Sequence, residues 1–260
     1  MALGWMGASL VNNKYKLAVK IIVAVIAITI VKLLITSYTN LTISLSPLFL
    51  SIVGGTIFLM GFVLAGVVAD YKESERIPGE IASSIENVYE ESKYVKSLNK
   101  KFNLEKMKKS LVQIVDDLKN DIGSSKLKKK SVNTVSKISE SLLDMEKLKI
   151  PATYITRIKA DRDGIKRNIL RIYHIKETSF VPAAYAILEI LAAGIILMML
   201  FIKIEPFLES VLIPGLITFF LLYMITLIKD MDDPYDVKES YVAVDLFLLD
   251  DVKKKIESGD

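Results

Sequence analysis

Four stretches of about 20 consecutive, mostly apolar residues decide what this chain can fold into, because that is the helix length that crosses a bilayer core. In lipid each backbone N–H and C=O must be satisfied within its own segment, so such runs become helices. The first, 17–35, holds Lys20 and Lys32 near its ends, where long stems reach the interface. The second, 48–69 (LFLSIVGGTIFLMGFVLAGVVA), carries no charge. The third, 181–202, carries only Glu189, and the fourth, 207–228, carries Glu209 near its start and Pro214 in its first half. Only four residues separate the third from the fourth, which predicts a helical hairpin. The chain as a whole is 52% hydrophobic and 25% charged, so apolar and charged residues are segregated along it.

Lysine and arginine are retained on the cytoplasmic side of a membrane, so their distribution orients the spans. The segment 70–180 contains 24 of the 34, while 36–47 contains none. The long middle segment is therefore expected in the cytoplasm together with both termini, in a multi-pass protein of the plasma or inner membrane. The expected domains are 1–69 (N-terminal segment and first hairpin), 70–180 (cytoplasmic helices), 181–228 (second hairpin) and 229–260 (acidic tail). A cleavable signal peptide is the competing reading of the N-terminus, but the first apolar run has no small-residue cleavage site and has spanning length. Asn40-Leu41-Thr42 is an acceptor sequon on the outer loop that this orientation predicts.

The middle segment reads as helices parted by turn signals. Pro78-Gly79 is expected to end the second span's helix. A new helix then follows from about 80 to 101, with Ile81, Ile85, Val88, Tyr89 and Val95 on one face. Asn103 is a candidate cap for the next, which carries Leu104, Met107, Leu111, Ile114 and Leu118 and stops at Gly123-Ser124-Ser125. A third is expected from about 126 to 148, with Val132, Val135, Ile138 and Leu142 or Leu143. The fourth, about 152 to 177, holds Ile155, Ile158, Ile165, Ile169, Leu170 and Ile172. The basic run from Lys126 to Lys130 suits either anionic lipid or a solvated helix face. A net charge of +4 and the lack of a phosphate loop give no support for nucleic acid or nucleotide. Without Cys, and with His174 as the one histidine, no metal constellation or nucleophile–base pair can be assembled, which argues against catalysis.

The most distinctive motifs lie where the second span ends: Phe58-Leu59-Met60-Gly61-Phe62, then Asp70-Tyr71-Lys72-Glu73-Ser74-Glu75-Arg76-Ile77-Pro78. Phe180-Val181-Pro182-Ala183-Ala184-Tyr185 opens the third span. Asp233-Pro234-Tyr235, then Val244-Asp245-Leu246, follows the fourth. In this order the motifs resemble the bestrophin family: its aromatic F-x-x-G-F stretch and E-x-[LI]-P exit on the second helix, its P-x-x-Y start of the third span, and its [ND]-P-[FY] segment after the fourth. The short tail and the lack of tryptophan after the second span bring the chain closer to divergent microbial members than to the animal channels. The resemblance implies an all-α, four-span membrane protein with a helical cytoplasmic domain, a homo-oligomer with five subunits around an axial pore, and passive conduction of an anion such as chloride. It also implies that the second helix lines the narrowest part.

Gly54, Phe58 and Phe62 fall four residues apart and so share one helix face. Around an axis, the two Phe positions form stacked apolar rings able to gate by dewetting. The alternative is that both are lipid-facing or interhelical filler while Gly54, Gly55, Gly61 and Gly66 permit close helix approach. Glu189 is costly in the hydrocarbon; it can pair with Lys20 or Lys32, line a wet vestibule, or remain protonated. Asp230, Asp232, Asp233 and Asp236 are the ligand type a hard cation such as calcium takes, and an acidic cluster near this place forms a calcium clasp in the animal family members; a solvated acidic turn is the alternative. No other cofactor is expected. The rival functions are a non-conducting membrane anchor whose cytoplasmic helices bind a protein partner, and a carrier built around Glu189.

Overall fold

The computed structural model describes residues 15–38, 43–124, 128–178, 181–236 and 240–259. Expectations for the N-terminal 14 residues, the sequon at 40–42, Lys126, Leu127 and Phe180 lie outside them. The described residues form nine α-helices and one two-residue parallel strand pair. They divide into two compact units, 1–69 with 180–232 and 70–179 with 233–260.

The first unit contains helix α1 (Lys16–Tyr38), the start of α2 (Pro47–Leu98), α7 (Pro182–Phe201) and α8 (Phe207–Asp232). Each is long and apolar enough to cross a membrane. Along α2, the buried positions Val53, Thr56, Met60, Val63 and Val67 recur every three to four residues and make one stripe. The apolar members of that stripe join Leu188, Ala192, Ile195 and Met199 of α7, with Leu221 and Ile228 of α8, in a single core. Strands β1 (Ile43–Ser44) and β2 (Ile202–Lys203) pair at the ends of the spans, Ile43 opposite Ile202. Two residues are too few to leave an alternation in the sequence. Lys32 is buried and donates to the Ile202 carbonyl at 3.1 Å, closing a backbone acceptor beside that pair.

The second unit packs the rest of α2 with α3 (Leu104–Gly123), α4 (Lys130–Ser136), α5 (Ile138–Lys147), α6 (Ala152–Glu177) and α9 (Phe247–Ser258). The expected apolar faces are its core: Ile81, Ile85, Val88, Tyr89 and Val95 meet Met107, Leu111, Ile114, Leu118, Ile158, Ile165, Ile169 and Ile172. Asn103 caps α3 by accepting from the Lys106 amide at 3.0 Å. Of the two leucines, Leu142 is buried and Leu143 exposed; Leu170 is exposed too, off the α6 stripe.

The expected helix 126–148 is two helices, and the first begins at Lys130. Asp121 explains the late start. Its buried carboxylate accepts from the Ser131 amide at 3.0 Å, the Ser131 hydroxyl at 3.1 Å and the Tyr173 hydroxyl at 2.6 Å, which fixes the first turn of α4 against α3 and α6. Lys129, just before it, is left-handed at φ 54°, so the helix cannot extend backward. Burial, and then the Asp121 carboxylate, raise the Tyr173 phenol far above its ordinary range, so it stays a donor.

Pro78 does not end the helix either. α2 runs unbroken from Pro47 to Leu98. A proline inside a helix has no N–H for the carbonyl four residues earlier, here Ser74, and an orphan acceptor in a packed interior is costly. Tyr235, fully buried, supplies the donor: its hydroxyl reaches the Ser74 carbonyl at 2.9 Å from 161 residues away. Beside it Arg171 grips Glu73 with two bonds, Nε to Oε1 at 3.0 Å and Nη2 to Oε2 at 2.7 Å.

Two predictions follow from this joint. Tyr235→Phe keeps the ring but orphans the Ser74 carbonyl, so it is expected to destabilise by about 1–2 kcal/mol. In a Pro78→Ala background the backbone N–H returns and the same change is expected to cost a few tenths of that. Thermal unfolding of the four proteins in one detergent reads the coupling, and equal costs in both backgrounds would sink the assignment. Separately, Arg171's hydrogen bonds hold the Glu73 carboxylate below its ordinary 4.5. A depressed folded value adds stability that is complete above about 4.5 and is lost as pH falls through the folded value. Both side chains are more than a third exposed, so the contribution is about 0.5 kcal/mol. Wild type is therefore expected to lose stability below pH 4.5 more steeply than Glu73→Gln, as read from melting temperatures across acidic pH.

Candidate functional site

The stripe of α2 that packs on α7 and α8 fixes what the opposite stripe does. At 100° per residue, Gly54, Phe58 and Phe62 lie on the side away from Val53, Met60, Val63 and Val67. All three are exposed, Phe58 at 77% and Phe62 at 72%, an unusual fate for a phenyl ring unless lipid, a neighbouring subunit or a pore takes it. Gly55, Gly61 and Ala65 widen the same exposed face. A Cβ added at Gly54, Gly55 or Gly61 would meet nothing within 4 Å, so these glycines do not serve close helix approach inside the chain. The sequence spacing placed the three residues on one face; that the face is bare follows only from the packing opposite it.

Glu189 pairs with neither lysine of the first span. Lys32 is engaged with the Ile202 carbonyl, and the Glu189 carboxylate instead forms an ion pair with Lys229 near the end of α8. Counting outward from the connector at 203–206 would set Glu189 level with a residue near 219, so the hairpin's true register conceals this partner from the sequence. Both side chains remain about half exposed, 47% and 53%, at the rim of an apolar groove between α7 and α8.

The four aspartates are not gathered into a cation site. Asp230 and Asp232 lie in the last turn of α8, Asp233 and Asp236 in the turn after it. Among the described residues no group of three or more His, Asp or Glu side chains is placed to hold a metal ion. The Asp236 amide instead donates to the Asp233 carbonyl at 3.2 Å, closing the turn that presents Tyr235 to Ser74. Sequence reasoning singled out Asp233-Pro234-Tyr235 as a motif and missed that its tyrosine serves the proline at 78.

No family model and no curated protein matches the chain. Solved structures do. A crystal structure of a single-residue variant of a bacterial bestrophin homolog from Klebsiella pneumoniae superposes with a TM-score of 0.78 over 93% of this chain and 98% of that one, at 10% identity. Another crystal structure of a Klebsiella pneumoniae bestrophin homolog gives 0.74 over 92% and 97%, at 11% identity. A third, solved as a membrane protein, gives 0.78 over 92% and 97%, again at 11%. At such identity the shared property is the backbone arrangement, and it extends over nearly the whole of both chains. The four spans and this likeness agree with the expectation raised by the motifs: the chain is an all-α, multi-pass membrane protein of bestrophin-like fold.

Proposed function

We propose that the protein assembles into a homo-oligomeric ion channel that passes anions such as chloride passively along an axis lined by α2. The observation that carries this reading is the bare apolar face of Gly54, Phe58 and Phe62, set opposite a stripe fully used in packing. Subunits repeated around an axis, five if the oligomer follows the resemblance, would bring these positions into rings. Two phenyl rings one turn apart make a constriction whose wetting decides whether ions pass. Their edges carry partial positive charge, which attracts an anion weakly and lets it leave. Gly54, one turn further along, removes side-chain bulk and widens the path. The Glu189–Lys229 pair is neutral as a unit and belongs to a different helix pair, so it neither opposes anion flow nor offers the lone carboxylate a carrier would cycle. We place the 70–180 segment and both termini in the cytoplasm, on the lysine and arginine distribution.

The purified oligomer in a planar bilayer under a KCl gradient is expected to carry current that reverses near the chloride potential. Phe58→Ala/Phe62→Ala removes both rings and is expected to raise the conductance several-fold. A well-folded oligomer silent across calcium, pH and voltage would end the channel reading and favour the anchor. Gly54→Ala separates fold from function. The added methyl meets open space within the chain and removes a helix-interior glycine, so stability is expected to rise by about 0.5–1 kcal/mol. Conductance is expected to fall, and an unchanged single-channel current would take Gly54 off the axis.

A further inference from the structure

We propose that the groove between α7 and α8 is a binding site for a phospholipid with an ethanolamine headgroup, seated with its phosphate on Lys229 and its ammonium on Glu189. The groove has a volume of 540 Å³, and its two ends differ in chemistry. One end holds the Glu189–Lys229 pair; the walls are otherwise apolar, with Ala193, Ile196, Leu197 and Leu200 from α7 facing Leu222 and Ile225 from α8. From Glu189 to Leu200 the helix rises about 16 Å, the scale of an acyl chain, and it runs toward the connector at 203–206. Lys229 is in the last turn of α8, so the charged end of the groove lies toward the interfacial end of that helix.

Charge selects the headgroup. Each partner of the pair keeps about half its surface open, so each can take a second ligand of opposite sign. Lys229 suits a phosphate, but a purely anionic lipid would bring its charge against Glu189 as well. A zwitterion with both signs a few ångströms apart satisfies both. A primary ammonium donates hydrogen bonds to the carboxylate, whereas a quaternary choline has none to give, so ethanolamine is favoured over choline. This assignment stands apart from conduction, since it uses neither Phe58 nor Phe62.

The test counts lipids retained by the purified protein, by native mass spectrometry, after incubation with an equimolar mixture of dioleoyl phosphatidylethanolamine, phosphatidylcholine and phosphatidylglycerol. Wild type is expected to retain the ethanolamine lipid about fivefold over the glycerol lipid, with choline between. Glu189→Gln/Lys229→Gln is expected to bind the three alike. Ala193 is exposed and one turn from Glu189, so Ala193→Phe fills the groove from outside the core while keeping both charged residues, and is expected to abolish retention. That variant keeps the test decisive should the charge-free one fail to fold. Equal retention of the three lipids by wild type, or a preference that survives Ala193→Phe, would overturn the proposal. So would an efficient intersubunit disulfide from Leu197→Cys in native membranes, which would show a second copy covering the groove.

Discussion

The missing amide of Pro78 is the constraint to which much of the chain answers. α2 is 52 residues long and lends side chains to both hydrophobic cores, Met60 and Val63 to one, Ile81 and Ile85 to the other. A proline in the middle of such a helix should break it, and the sequence around it offers no local remedy. The remedy is a phenol from the far end of the chain, held by burial in its protonated, donating form. Once Tyr235 is committed to Ser74, the phenol and the packing of α9 through Leu249, Val252 and Ile256 become parts of one interior, with the bidentate grip of Arg171 on Glu73 at its half-exposed edge.

The same accounting governs the spans. Two charged side chains of the spans are answered within the chain: Lys32 by a carbonyl, Glu189 by Lys229. Apolar surface stays unanswered in several places, the outward stripe of α2 and the groove between α7 and α8 among them. An unpaired charge would have to be settled within the chain, because lipid cannot solvate it. An unpaired phenyl can be left to lipid, a neighbour or an ion path, and that freedom makes Phe58 and Phe62 usable.

Much of this was legible beforehand, and the misses share a cause. Span limits, the Asn103 cap, the core stripe of α3 and most of that of α6 follow from residue type and period alone, since neighbours along a helix decide them. Pro78 reads as a break, 126–148 reads as one helix, and among the fates open to Glu189 the pairing considered is with Lys20 or Lys32. In each case the deciding partner was remote in sequence: Tyr235 for the proline, Asp121 with Tyr173 for the start of α4, Lys229 for Glu189. Spacing shows which residues share a face; it does not show what is folded against that face. The alternation of exposed and buried stripes on α2 lies between these cases, because periodicity predicts two faces and only tertiary packing chooses the covered one.

The split make-up of the second unit sets an order on biosynthesis. Its core draws on 70–179 and on 233–260, and everything between belongs to the other unit. A nascent chain can form α3 to α6 as soon as they leave the ribosome, yet the Ser74 carbonyl stays open and the places of Leu249 and Ile256 stay empty. Both are filled only by residues translated after the second hairpin. Maturation of this unit therefore waits on synthesis of 233–260, and a chain interrupted before Tyr235 keeps an open core, whatever its earlier helices have already formed.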